Sequence, residues 1–201
     1  MLTNLSRMSK EARKIPTLQG WCMNDGGFEV GDNVAMPDGD YTMSEATYHK
    51  WWNHFRGSGF DKERDTHFNP KNYSETGESS AEFMAACDAW TTSGYMCPVH
   101  QQLKHTEGAE WYAYQFEQWA PYNAPDLVTH SCELGFLFDP SSTENPVLSK
   151  KVQKWWTNFA KYHDPNGEDV SDDEKEWPAV DPEDPRVFRI SDESYADKWP
   201  K

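Results

Sequence analysis

His130 and Asp25 are residue types suited to general acid–base chemistry. Histidine titrates near neutral pH, so it can take a hydroxyl proton during nucleophilic attack and return it to a leaving alcohol. A carboxylate on its other ring nitrogen fixes the tautomer and stabilises the imidazolium. Asp25 falls in Asn24-Asp25-Gly26-Gly27, where glycine lets the backbone turn tightly at a strand end. Its separation of 105 positions from His130 is no obstacle, because such constellations assemble in space. An activated serine to complete them has no candidate: no G-x-S-x-G frame occurs, and neither Gly57-Ser58-Gly59 nor Thr92-Ser93-Gly94 supplies one. Taken alone, a residue such as His130 is more often an ordinary loop histidine, and the other six histidines sit in no motif. Cys22, Cys87, Cys97 and Cys132 show no CxxC spacing, so no metal site is expected, and no cofactor either.

The elements that must hold these residues can be read from periodicity. Residues 15–20 form a short strand running into the glycine turn. Residues 111–116, Trp-Tyr-Ala-Tyr-Gln-Phe, are the strongest strand, and a long loop over 119–128 leads from it to His130. Helices are predicted over 44–55, 79–90 and 95–103, the last beginning near Pro98. The clearest helix covers 146–162, where Leu148, Val152, Trp155 and Phe159 share one stripe, Pro146 suits the first turn, and Asp164-Pro165-Asn166-Gly167 ends it. Residues 57–76 read as a polar surface excursion and 187–190 as a short strand. Strands alternating with helices predict an α/β sheet, with too few strands for a complete doubly wound domain.

Composition narrows the functional classes. The aromatic share of 14% marks a folding sequence despite a hydrophobic fraction of only 36%. Asp and Glu number 34 against 19 Lys and Arg, a net charge of −15, which argues against nucleic acid as a partner. The excess is concentrated in an acidic tail over 164–201; it keeps the surface solvated and could steer cationic substrates. No run approaches the roughly 20 apolar residues of a membrane-spanning helix, and the first residues lack the apolar stretch of a signal peptide. Two sequons, Asn4-Leu5-Ser6 and Asn72-Tyr73-Ser74, are compatible with a secretory route.

Four segments resemble the type-B carboxylesterase/lipase (cholinesterase-like) family. Val128-Thr129-His130-Ser131-Cys132-Glu133-Leu134-Gly135-Phe136 is similar to its histidine loop. Trp155-Trp156-Thr157-Asn158-Phe159-Ala160-Lys161, with Asp164-Pro165-Asn166 and Trp177-Pro178, is similar to a highly specific helix and exit. Gly20-Trp21-Cys22-Met23-Asn24-Asp25-Gly26-Gly27-Phe28 resembles the turn carrying the catalytic acid, with Asp25 where Glu is usual. Tyr95-Met96-Cys97-Pro98 resembles an aromatic-x-Cys-Pro step at a helix start.

The resemblance implies the C-terminal part of an α/β-hydrolase fold over 1–201, an incomplete sheet with flanking helices. The family's chain order is serine, acid, histidine, so it places the nucleophile upstream of Met1. It implies hydrolysis of small-molecule carboxylic esters through an acyl-serine, with His130 as general base, Asp25 as orienting acid and Glu133 as a supporting carboxylate behind them. For Glu133 a surface or helix-capping role is nearly as good a reading. Trp119 and Tyr122 could line the substrate gorge or simply cover the core. Cys97 looks like half of a disulfide whose partner lies beyond Lys201, and a secretory location is implied. Two alternatives stay open: a non-catalytic binding or adhesion protein on the same scaffold, and an inactive truncated fragment. Nothing in the sequence sets the oligomeric state.

Overall fold

The computed structural model describes residues 14–33, 41–75, 77–103, 109–121, 126–168 and 176–200. Asn4 and Tyr122 lie outside the described residues. Four strands form one sheet in the order β1 (Thr17–Cys22), β2 (Trp111–Phe116), β3 (Arg186–Ile190) and β4 (Tyr195–Lys198). The pairings of β1 with β2 and of β2 with β3 are parallel, and β4 returns antiparallel along β3.

The period-two pattern of β2 explains why the whole strand is buried. Tyr112, Tyr114 and Phe116 face one cluster, which is completed by Leu148, Val152 and Trp155, by Phe136, and by Phe188 and Ile190 of β3. Trp111 and Ala113 face the other, with Trp21, Val99, Leu103 and Val187. A strand covered on both faces is where aromatic residues contribute most, each fully buried side chain stabilising by about 1.5–3 kcal/mol.

Helix α7 (Pro146–Tyr162) covers the first face with the predicted boundaries. Asn145 caps it by accepting Leu148 N–H at 3.0 Å, and His163 ends it in a left-handed conformation (φ 62°). Trp177 is wholly buried in the same cluster, 4.7 Å from Phe188 between ring centroids. The acidic tail therefore contributes core as well as surface.

A helical layer packs alongside. Helices α2 (Glu45–Phe55) and α4 (Ala81–Thr91) start at the serine caps Ser44 and Ser80. Their Tyr48, Trp51, Trp52 and Phe83 bury a third cluster that includes Val30 of α1 (Gly27–Asn33). Two expectations need correction. Residues 57–76 hold helix α3 (Asp61–His67) and a 3₁₀ turn at Pro70–Asn72, because Phe68 is drawn into the core and Tyr48 O–H donates to its carbonyl at 2.6 Å. Helix α5 (Cys97–Leu103) continues from α4 through a π turn at Thr92–Met96 and is not a separate helix starting near Pro98. A short helix α6 (Cys132–Phe138) follows His130.

No disulfide joins the four cysteines, so the disulfide implied for Cys97 is not supported; Cys22, Cys87 and Cys132 are buried and Cys97 is exposed. Among the described residues no helix is long and apolar enough to cross a membrane.

Candidate active site

Asp25 and His130 lie just beyond the C-terminal ends of neighbouring parallel strands, where α/β sheets place their ligand sites. Asp25 sits in the turn that joins β1 to α1. It is 3% exposed, and its two oxygens are divided between two donors. The Cys22 N–H donates to Oδ2 at 2.8 Å, and His130 Nδ1 lies 2.6 Å from Oδ1. The His130 side chain keeps 52% of its surface open to solvent. Burial pushes the Asp25 carboxyl up from 3.8 to about 6, against the opposing pull of the Cys22 N–H and of His130.

The turn is held from three directions. Asn24 binds Val128 through its own N–H and its side-chain oxygen, which fixes the loop carrying His130 two residues later. Gly26 N–H donates to Thr91 Oγ1 at 2.9 Å. The glycines are steric requirements: a Cβ on Gly26 would stand 2.6 Å from Trp90 Cβ and 2.8 Å from the Cys87 carbonyl, and one on Gly27 2.8 Å from Thr129 Cγ2. Ser131, next to His130, takes a left-handed conformation (φ 68°) that L-residues adopt at some cost, and it turns the chain directly into α6.

Glu133, in the first turn of α6, touches neither Asp25 nor His130 in the hydrogen-bond network. Its carboxylate accepts from Cys22 Sγ at 3.1 Å and from Tyr114 O–H at 3.3 Å. Cys22 therefore links the two acids, through its backbone to Asp25 and through its thiol to Glu133. Burial, then the neighbouring Glu133 and Asp25 charges, hold that thiol protonated far above the usual cysteine range. Gly20 makes room for this arrangement, since a Cβ there would stand 2.4 Å from Tyr114 Cγ.

Other neighbours had no signal in the sequence as site residues. The Tyr95 ring packs on His130 with centroids 5.3 Å apart, and Tyr95 O–H donates to Glu29 Oε1. Thr91 grips the turn from a distant position, and Asn24, within the turn, ties it to Val128. Trp119 is 36% exposed. Among the described residues no cluster of His, Cys, Asp and Glu could hold a metal ion.

The sequence model of the carboxylesterase family matches residues 2–200. The chain belongs to the carboxylesterase family. Its sheet and flanking helices are those of part of an α/β-hydrolase fold. Carboxylesterase 4A of Bos taurus is 36% identical over 73 residues, which cover 31% of this chain and 13% of that protein. Cocaine esterase of Oryctolagus cuniculus is 33% identical over 97 residues, 41% of this chain and 17% of that protein. Carboxylesterase 5A of Mus musculus is 40% identical over 45 residues, 22% of this chain and 7% of that protein. Each match spans a minor share of the relative's own length. Within this carboxylesterase-family chain, the buried Asp25 and the half-open His130 can orient an imidazole and exchange a proton at its outer nitrogen.

Proposed function

We propose that this chain supplies the acid and the base of a carboxylic ester hydrolase acting through an acyl-serine. The observation that carries the reading is the 2.6 Å approach of His130 Nδ1 to a buried Asp25 oxygen. With Nδ1–H donated to Asp25, Nε2 is the unprotonated nitrogen. It takes the serine hydroxyl proton as the oxygen attacks the ester carbonyl, then delivers it to the departing alcohol; water repeats the cycle on the acyl-enzyme. Asp25 stays ionised, fixes the tautomer and stabilises the imidazolium. Asp25 is one methylene shorter than the glutamate usual in the resemblance, and its fixed turn, gripped by Asn24 and Thr91, compensates by bringing the backbone close to the histidine loop. The nucleophile comes from outside these 201 residues, since no G-x-S-x-G frame lies within them. Names of the relatives suggest small carboxylic esters as the substrate class.

The test is to express the complete reading frame and assay short-chain aryl esters alongside a fluorophosphonate probe that labels activated serines. Turnover should fall by roughly 10⁶ for His130→Ala and by about 10⁴ for Asp25→Ala. A folded complete product that neither hydrolyses the esters nor takes the label would sink the proposal and favour a binding role on the same scaffold.

A further inference from the structure

We infer that Tyr95 is a positioning residue that seats the His130 imidazole against Asp25, and that Glu29 sets the Tyr95 ring. The inference rests on the acid–base reading of His130 and extends it to residues outside the two quoted segments that carry Asp25 and His130.

Half of the His130 side chain is open, so a single bond to Asp25 would leave the ring free to swing about its χ2 axis. Tyr95 supplies the missing restraint. Its ring lies 5.3 Å from the imidazole at an interplanar angle of 33°, a tilted stacking contact. A stacked ring is itself a rotor unless its far end is tied, and Tyr95 O–H donates to Glu29 Oε1 on α1. Burial, with that carboxylate beside it, keeps the phenol protonated well above its usual range, so it stays a donor.

The element carrying Tyr95 also explains why it reaches His130. Tyr95 lies in the π turn Thr92–Met96, where Cys97 N–H bonds back to Thr92 O in the wide i→i+5 pattern. The residue just before that turn, Thr91, accepts the Gly26 N–H. One short stretch of chain therefore touches the turn bearing Asp25 at one point and the ring of His130 at another. The hydroxyl end of Tyr95 returns to the acid-bearing unit, since Glu29 lies in α1, four residues beyond Asp25. The charged and titratable groups around His130 are then Asp25 directly, Glu29 and Tyr95 beside it, and Glu133 and Cys22 behind Asp25.

The deciding measurement is nitrogen-15 NMR of His130 in the full-length chain, reading the ratio of the neutral Nδ1–H and Nε2–H tautomers. Wild type should favour Nδ1–H, and Asp25→Asn should abolish the preference. Tyr95→Phe, which keeps the ring and removes the bond to Glu29, should lower the ratio by about fivefold, the scale of one lost hydrogen bond. Tyr95→Leu should lower it further, while Glu29→Gln, which retains an acceptor, should leave it near wild type. An unchanged ratio in folded Tyr95→Phe and Tyr95→Leu, with Asp25→Asn still abolishing it, would overturn the inference and leave the acid–base reading intact. Should Tyr95→Leu fail to fold, Tyr95→Phe decides alone. A wild-type ratio no different from that of Asp25→Asn would overturn the acid–base reading, and this inference with it.

Discussion

Asn24 clasps Val128 twice: its N–H donates to the Val128 carbonyl at 2.9 Å, and its Oδ1 accepts the Val128 N–H at 3.1 Å. Asn24→Ala leaves the buried Val128 N–H without its acceptor and should cost about 1–3 kcal/mol in urea unfolding. Amide exchange at Val128 should accelerate with it. Unchanged exchange would mean that the backbone half of the clasp suffices.

Two glycines on the same turn and helix should respond in opposite ways to alanine. A Cβ on Gly26 meets Trp90, the Cys87 carbonyl and the Thr91 N–H within 2.9 Å, so Gly26→Ala must push α4 away and should cost about 1–3 kcal/mol. Gly31, within α1, has nothing within 4 Å of its Cβ position, and Gly31→Ala should stabilise by about 0.5–1 kcal/mol. Thermal unfolding of the two variants side by side checks both signs.

Asp25 carries a stability cost that depends on pH. Folding raises its carboxyl from 3.8 to about 6, so the native state binds this proton more tightly than the unfolded chain does. Its favourable contribution is complete below pH 3.8 and is lost as pH rises through about 6. Asp25→Asn never ionises and should gain on wild type across that window, by roughly 3 kcal/mol at pH 7. Denaturant midpoints at pH 4 and pH 7 measure the difference; a constant gap would show that His130 offsets the burial in full.

Asn166 makes a reciprocal pair with Trp177, donating Nδ2–H to its carbonyl at 2.9 Å and accepting its N–H at 2.8 Å, while Asp164 Oδ1 holds Asn166 from behind. This pairing gives a physical reason for the Asp-Pro-Asn and Trp-Pro steps seen in the sequence: it anchors the tail so that Trp177 enters the core. Asn166→Ala should cost about 1–3 kcal/mol. Asn166→Asp should be as harmful, because the second acid cannot donate and faces Asp164. Equilibrium unfolding of both variants tests the pair.

Strand β2 and helix α7 are legible in the sequence because their apolar periods are unbroken and their ends carry caps. Strand β4, Tyr-Ala-Asp-Lys, has no apolar alternation; it adds to β3 through backbone pairing and the Arg189–Asp197 contact, which leave no local pattern. Helix α6 is hidden by its brevity and by the left-handed Ser131 ahead of it. The break expected before residues 95–103 has a geometric origin. An ideal helix turns about 100° per residue, so the eight residues from Thr91 to Val99 put their buried positions roughly 80° out of phase and mimic a new helix. Asp25 and His130 can be found through their motifs. The roles of Asn24 and Tyr95, which lie within motif segments, and of Thr91 and Glu29, which do not, cannot, since each acts across a contact between distant segments.

The π turn absorbs one residue and brings Thr91 and Val99 back to within about 20° of a common stripe. A plain α-helix shorter by one residue would align them just as well, so the core has no need of the extra residue. Its consequence is one of insertion and deletion. A chain that dropped one residue from 92–96 would still bury α4 and α5 in their two clusters, as one straight rod. What it would lose is the outward swell that lifts an aromatic ring from the rod onto His130.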